Sequence, residues 1–135
     1  LGDVYKRQVQ KKILGIIPPF GNPKNPVDIT AQGGPEDQKN MYCKVFDIIN
    51  DETLVDAVLV IVEGSYPYDL MNAIKDAICH CIAPKKKLPT VVAWVGSKRL
   101  VGDLINEVEE RGLPVYPSPE RAVRVLKHVL TGVKE

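Results

Sequence analysis

The sequence predicts an α/β protein in which an open, mostly parallel sheet lies between two layers of helices. Two segments, VDAVLVIVEG and LPTVVAWVG, are short, β-branched and apolar on both faces, and each ends at a glycine. Such strands are typical of a parallel sheet that helices cover on both sides. Strand-like segments begin near Val27, Ala57, Val91 and Val115, about 25 to 35 residues apart, the length of a βα unit. Together these observations predict a three-layer α/β/α fold.

The first third of the chain predicts a helix, a connector, a short strand and a second helix. Apolar residues follow helical spacing from Val9, and this helix must end at Pro18–Pro19 because proline has no N–H to donate. The connector PPFGNPKNP leads to VDIT, which is predicted as a strand. Gly33, Gly34 and Pro35 then open a helix with acidic residues in its first turn. The predicted buried stripe of this helix is Met41, Val45, Ile48 and Ile49.

In the middle of the chain, VDAVLVIVEG is predicted as a central strand, SYPY as a loop, and the segment after it as a helix ending at Pro84. Its predicted core face comprises Leu70, Ile74, Ala77, Ile78 and Cys81.

The last third repeats the pattern with the buried strand LPTVVAWVG, a helix, the short strand LPVY and a final helix. Ser97 and Ser118 are the predicted N-caps, Pro119 follows at the first helical position, and Gly112 ends the helix between them. The predicted core faces are Val101, Leu104, Ile105 and Val108, and then Ala122, Leu126, Val129 and Leu130.

This order of elements is typical of a flavodoxin-like sheet. Four strands are fewer than such a sheet usually has, so we expect that truncation has removed the first strand. The first residue is Leu1 rather than methionine, and we interpret residues 1–8 (LGDVYKRQ) as a non-native leader. The alternative is that they form the first turn of a native amphipathic helix. Residues 9–135 are then one domain, a fragment of a larger protein.

The composition excludes several classes of function. With 18 Lys and Arg against 17 Asp and Glu, the net charge of +1 gives no basic footprint for nucleic acid. No apolar run approaches the roughly 20 residues of a membrane span, and the first ten residues lack the apolar core of a signal peptide. We therefore expect a cytoplasmic protein without nucleic-acid or membrane partners.

Three cysteines form an odd number without framework spacing, which is natural for a reducing compartment. The run Cys79-His80-Cys81 resembles a metal motif, but residues two apart on a helix point to nearly opposite sides. We therefore predict no metal site, with Cys81 in the core and His80 at the surface.

Candidate functional residues lie where the predicted strands end, because ligands of open parallel sheets bind at the carboxyl edge. Most of these residues are small or polar, and they follow consecutive strands. Those predicted to face a phosphate or to form interface loops are Asn25, Asp28, Thr30, Gly33, Gly34, Gly64, Ser65, Gly96 and Ser97.

Gly33 and Gly34 are the candidates for an anion site, because N–H groups at the start of a helix bind anions together with the helix dipole. The competing interpretation is a plain tight turn. Gly96-Ser97-Lys98 is no P-loop, since the required first glycine would fall at Val91, and no dinucleotide motif or catalytic triad is present. No catalytic residue is therefore predicted.

A stand-alone receiver-like or interaction module is the alternative. Asp28, Ser65 and Lys98 superficially match the aspartate, hydroxyl and lysine of a receiver domain. The acidic pair that would hold Mg²⁺ after the first strand is absent from this sequence.

Four segments in order, NPVDIT, VDAVLVIVEG, LPTVVAWVG and GLPVYPSPERAVRVL, resemble the NDP-forming acyl-CoA synthetases, relatives of succinyl-CoA synthetase. The resemblance runs from about Val9 to the C-terminus and is to the C-terminal domain of the succinyl-CoA synthetase β subunit. It implies the reversible reaction of acyl-CoA, ADP and phosphate to acid, CoA and ATP.

The resemblance also implies how the work is divided between domains. A phosphate travels on a histidine of another domain, an ATP-grasp domain binds the nucleotide, and a further domain binds CoA. By this resemblance, AQGGPEDQK holds the position of the helix whose dipole faces the phosphate. EGSYPYDL holds the position of a loop at the subunit contact, although relatives carry other small or apolar residues in place of SYPY. This domain alone is expected to bind no cofactor, and the parent enzyme to use CoA, ADP or ATP, and Mg²⁺. The resemblance does not decide which acid is the substrate or whether ATP or GTP is made. It also leaves open whether the parent is one fused chain or two subunits, and whether it is a ligase or a related protein acyltransferase.

Overall fold

The computed structural model describes residues 2–132, and these form a three-stranded parallel sheet with helices on both faces. The strands β1 (Val58–Glu63), β2 (Thr90–Val95) and β3 (Val115–Tyr116) lie in the order β1-β2-β3. Both pairings are parallel, with Val60 opposite Val92 and Val92 opposite Val115. The predicted α/β class with an open parallel sheet is confirmed, and the arrangement is consistent with a small flavodoxin-like fold.

The helices lie before, between and after these strands along the chain. They are α1 (Asp3–Leu14), α2 (Pro35–Ile49), α3 (Tyr68–Ala77), α4 (Ala83–Lys85), α5 (Lys98–Glu110) and α6 (Pro119–Thr131). A π-helical turn, Ile78–Ile82, joins α3 to α4. This continuous helical run ends at Lys85, one residue after the predicted end at Pro84.

The two faces of the sheet are covered unequally. Helices α2, α3 and α5 pack on the face that we call the covered face, where Val60, Val62 and Trp94 are buried. Within residues 2–132, only α6 packs on the opposite face, the open face, through Ala122 and Leu126. The main core therefore lies on one side of the sheet.

The prediction of helices on both sides of both strands holds for β2 and is wrong for β1. In β2 the first five residues are buried. In β1 burial alternates, and Ile61 is 39% exposed on the open face. The physical reason is position, since β1 is the edge strand of the described sheet and α6 packs mainly against β2.

The segment VDIT is not a strand of the sheet, so the prediction of four strands is wrong. Asp28 forms an isolated antiparallel bridge with Asn22, with N–H···O distances of 2.8 and 3.0 Å. Its neighbours Val27 and Ile29 pack with Ile13 of α1 and Val45 of α2. The apolar residues of this segment thus extend the helical layer, whereas its backbone closes a local loop.

Two predicted helix ends are confirmed, and a third predicted cap is confirmed by position only. The Ser118 hydroxyl oxygen accepts a hydrogen bond from the Arg121 N–H at 3.3 Å, and Gly112 has the left-handed φ of +86° expected after a helix. Ser97 is the N-cap of α5 by position, but its side chain makes no capping hydrogen bond.

The cysteines differ from their predicted environments. Cys81 is only partly buried and forms a disulfide with Cys43, which links α2 to the π-helical turn. The fully buried cysteine is Cys79, whose burial raises the pKa of its thiol. His80 is exposed, as predicted. A cysteine in an apolar, helix-packed position behaves as a small hydrophobic residue.

None of the helices formed by residues 2–132 is both long and apolar enough to cross a membrane. Residues 3–8 belong to α1 and are exposed, and the Tyr5 hydroxyl donates to Asp51 at 3.2 Å. The assignment of these residues to a leader remains a prediction.

Candidate functional site

The loops that leave β1 and β2 meet at the carboxyl edge of the sheet. The Ser97 N–H donates to the Ser65 hydroxyl oxygen at 2.6 Å, and the Gly64 N–H donates to the Val95 carbonyl at 2.9 Å. Four of the predicted residues, Gly64, Ser65, Gly96 and Ser97, therefore form one cluster, which we call the edge-loop cluster. Because parallel strands end at the same edge, this proximity was predictable from the strand pattern.

Glycine is required at one position of this cluster for lack of space. A Cβ at Gly96 would lie 2.5 Å from the Gly64 carbonyl oxygen and 2.8 Å from the Ser65 hydroxyl oxygen. Gly64 has a φ of +126°, which other residues rarely adopt. The Trp94 indole N–H donates to the same Gly64 carbonyl at 3.0 Å and fixes the loop from inside the core.

Apolar side chains around the edge-loop cluster face solvent. Tyr66 is 81% exposed, Leu100 is half exposed, and Val95 at the end of β2 is partly exposed. Exposed aromatic and aliphatic residues beside ordered polar loops are typical of surfaces that contact another protein or domain.

Asp28 and Thr30 lie in a separate polar turn. The Asp28 carboxylate accepts the Thr30 N–H at 2.9 Å, and Thr30 has a left-handed φ of +65°. The Gln38 side chain, which is 2% exposed, donates to the carbonyls of Thr30 and Gln32 at 2.9 and 2.8 Å. The turn is thus fixed to α2 by a buried amide.

The start of α2 differs from the predicted anion site. The Gly34 N–H is not free, because it donates to the Asp37 carboxylate at 2.9 Å. A Cβ at Gly33 would lie 2.8 Å from the Cβ of Asp37, so the carboxylate is folded back over both glycines. An acidic residue that caps its own helix is favourable near the helix dipole, but it places negative charge where an anion would bind. The expectation of two free N–H groups is therefore wrong for Gly34.

A large cavity runs along the outer edge of β1, and we call it the edge groove. It has a volume of about 1420 Å³, and Asn25, Asp28 and Thr30 line it together with Tyr42 and Glu63. The other predicted residues do not line this groove. Within residues 2–132 no hydrogen bond joins the turn at Asp28 to the edge-loop cluster.

The predicted site residues carry small and polar groups. They offer hydroxyl groups, backbone amides and exposed carboxylates, and the described part of the chain contains no group of His, Cys, Asp and Glu residues that could hold a metal ion. His80 and His128 are exposed on the π-helical turn and on α6. The receiver interpretation needs Asp28 at the end of a sheet strand, whereas Asp28 lies outside the sheet.

The sequence analysis missed three features of this region: the edge groove, Gln38 and Tyr42. Gln38 precedes Met41 by three residues and Val45 by seven, so helical spacing places it on the buried face of α2. The helical spacing of Gln38 from Met41 and Val45 could therefore have predicted its burial. Burial raises the pKa of Tyr42 to about 12, and its hydroxyl donates to the Ile61 carbonyl at 3.4 Å.

Comparison with known proteins gives one informative similarity. No family profile matches the chain, and no solved structure matches it. Over 110 residues the chain is 32% identical to the acetate–CoA ligase (ADP-forming) I subunit alpha of Pyrococcus furiosus. The alignment covers 82% of this chain and 23% of the relative. The chain therefore spans about a quarter of the length of that ligase subunit and is similar to it there.

Proposed function

We propose that the chain is a domain of an NDP-forming acid–CoA ligase, which converts acyl-CoA, ADP and phosphate reversibly into acid, CoA and ATP. The observation that carries this proposal is the similarity to the ADP-forming acetate–CoA ligase subunit over 110 residues. Because the chain spans only part of that subunit, the domain contributes to the reaction together with other domains or subunits.

The role of this domain is to position groups rather than to react. The other parts of the ligase supply the phosphorylated histidine, the ATP-grasp site and the CoA site, and they use CoA, ADP or ATP, and Mg²⁺. The edge-loop cluster and the exposed Tyr66 form the contact surface for those parts. A surface of fixed loops beside exposed aromatic residues suits repeated docking, because little conformational entropy is lost on contact.

The start of α2 faces the phosphate of the partner domain. In the isolated chain the Asp37 carboxylate accepts the hydrogen bond of the Gly34 N–H, so an incoming phosphate must displace that carboxylate. Asp37 then acts as an internal competitor that keeps free phosphate out of the empty site. A phosphate held on a docked histidine displaces the carboxylate, because docking raises the local concentration of the phosphate.

The ligase assignment is tested on the full-length protein encoded by the complete reading frame. We expect release of CoA from acetyl-CoA that depends on both ADP and phosphate. The 135-residue chain alone is expected to show no such activity. If the complete frame encodes neither an ATP-grasp nor a CoA-binding domain, and the full-length protein releases no CoA from any short acyl-CoA, the assignment is wrong.

The proposed anion site is tested with a matched pair of substitutions in the first turn of α2. Asp37→Ala frees the Gly34 N–H, whereas Glu36→Ala removes the same charge from an exposed residue of the same turn. Inorganic phosphate is titrated into each variant while the Gly34 amide is followed by NMR. We expect the Gly34 signal to shift at lower phosphate concentration in Asp37→Ala. Equal responses of the two variants would count against the site.

A further inference from the structure

The Cys43–Cys81 disulfide is a covalent link between α2 and the helical elements that follow β1. Cys43 lies in the middle of α2, and Cys81 lies in the π-helical turn after α3. α2 packs mainly on α3, on the π-helical turn and on α1, all of which are helical elements. The disulfide therefore fixes one helix of the covered face to its neighbours.

The C-terminal end of α2 is attached without the disulfide. Phe46 is 2% exposed and belongs to the main core. The Asn50 side-chain amide donates to the Lys85 carbonyl at 2.8 Å, and its oxygen accepts the Lys87 N–H at 3.0 Å. The Lys85 ammonium also lies 3.6 Å from the Asp47 carboxylate. Packing and polar contacts thus hold this end of α2 in place.

The first half of α2 has fewer attachments. Residues 35–37 are exposed, and the buried residues of α2 before Cys43 are Gln38 and Met41. Gln38 bonds to the turn that precedes α2, so this contact does not fix α2 to the sheet. The Tyr42 hydroxyl donates to a carbonyl of β1 at 3.4 Å, which is long for such a bond. The first half of α2 therefore depends on the disulfide more than the second half does.

The disulfide is accessible to exchange, whereas the third cysteine is not. Cys43 and Cys81 are both partly exposed, so a thiol in solution reaches this pair. Exposed disulfides are the more easily reduced ones and include those with regulatory roles. Cys79 is 2% exposed, and its burial raises the pKa of its thiol, so it stays protonated and does not attack the disulfide. The pair therefore has two states, a disulfide and a dithiol.

We propose that the Cys43–Cys81 disulfide is a redox-sensitive latch, which holds the first half of α2 when oxidised and releases it when a dithiol reduces the bond. A thiolate of the dithiol attacks one sulfur of the pair and forms a mixed disulfide, and the other cysteine leaves as a thiolate that takes up a proton. The second thiol of the reductant then attacks the mixed disulfide, which closes the reductant's own disulfide and frees the second cysteine. Two electrons and two protons thus pass from the dithiol to the protein.

The latch is independent of the ligase assignment, because it follows from the position of the two cysteines and from the unequal attachment of the two halves of α2. Exchange with a small-molecule disulfide reverses both steps and restores the bond. The latch therefore predicts a reversible change that is confined to one part of the chain.

The first test asks whether the folded chain is reduced directly. Dithiothreitol is added to the full chain at several urea concentrations below the unfolding transition, and iodoacetamide traps the free thiols for mass spectrometry. We expect Cys43 and Cys81 to be labelled and Cys79 to stay unlabelled. The rate should change less than about twofold with urea, because the attack occurs on the folded protein. A rate that rises with urea as steeply as global unfolding does would overturn the proposal.

The second test shows where reduction acts. Backbone order parameters and relaxation dispersion, which together detect motion from ps–ns to μs–ms, are measured by NMR for the oxidised and the reduced chain. We expect reduction to increase the motion of the amides of residues 36–43 and to leave those of β2 and of Asn50 unchanged. An α2 that stays rigid, or motion that increases evenly over the whole chain, would contradict the latch.

Two variants separate the latch from a general effect of losing a thiol. Cys81→Ser cannot form the bond, so the first half of its α2 should be mobile with and without dithiothreitol. Cys79→Ala removes the buried thiol two residues away and keeps the disulfide, so it is the matched control and should respond to dithiothreitol as the unaltered chain does. A rigid α2 in Cys81→Ser, or a Cys79→Ala chain that no longer responds, would overturn the proposal.

Discussion

β1 and β2 have nearly the same kind of sequence and very different surroundings. Both are six-residue runs of mostly β-branched residues, VLVIVE and TVVAWV. In β2 five residues are buried, whereas in β1 burial alternates along the strand. The difference teaches that a continuous apolar run identifies a strand that is suited to burial on both faces. The neighbours decide whether it is buried.

The largest expected effect concerns the covered face of β2. Trp94 is 1% exposed and its indole N–H donates to Gly64. Trp94→Ala should lower the free energy of unfolding by about 3–5 kcal/mol, because it leaves a cavity and removes this hydrogen bond. Urea denaturation measures the change. Val95→Ala on the open face, where the residue is 39% exposed, should cost below about 1 kcal/mol. Equal costs would contradict the difference between the two faces.

The second prediction concerns the disulfide that links two helical elements of the covered face. The Cys43–Cys81 disulfide closes a loop of 38 residues between α2 and the π-helical turn. Reduction should lower the free energy of unfolding by about 2–4 kcal/mol, because the unfolded chain gains freedom. Thermal unfolding with and without a reducing agent measures this change. The double variant Cys43→Ser, Cys81→Ser is the control, and it should not respond to the reducing agent.

The third prediction concerns the contact between the loops at the carboxyl ends of β1 and β2. Gly96→Ala should cost about 1–3 kcal/mol, because its Cβ would overlap the Gly64 carbonyl oxygen. Gly102→Ala is the matched control, since this helical glycine has nothing within 4 Å of an added Cβ. That control should stabilise α5 by about 0.5–1 kcal/mol. Chemical denaturation of both variants is the measurement. A neutral Gly96→Ala would mean that the two loops are not in contact.

The smallest effect is expected on the open face of β1. Ile61→Thr keeps the β-branched side chain at a residue that is 39% exposed, and it should change the free energy of unfolding by less than about 0.5 kcal/mol. Val62→Thr on the neighbouring, 1% exposed position is the comparison, because it buries a hydroxyl group and should cost about 1–3 kcal/mol. A large cost at Ile61, measured by urea titration, would show that the edge groove is filled in solution.

Local signals alone predicted the helix boundaries near Pro35, Ser118 and Gly112, because caps and glycine conformations depend on a few adjacent residues. The meeting of Gly64 with Gly96 was also within reach of the sequence, since two parallel strands must end together. The strand predicted at Val27 was wrong because its apolar residues pack on helices. The disulfide between Cys43 and Cys81 was missed because the two positions are 38 residues apart.

The sequence by itself determined the parallel α/β class, the two main strands and the helices that separate them. These features follow from the periodicity of apolar residues and from local stops, which act over a few residues. The tertiary structure alone decided that the Asp37 carboxylate accepts the Gly34 N–H, that Gln38 fixes the turn at Thr30, and that β1 pairs on one side only among residues 2–132. Each of these depends on which groups come into contact in space, and a list of residues in order does not contain that information.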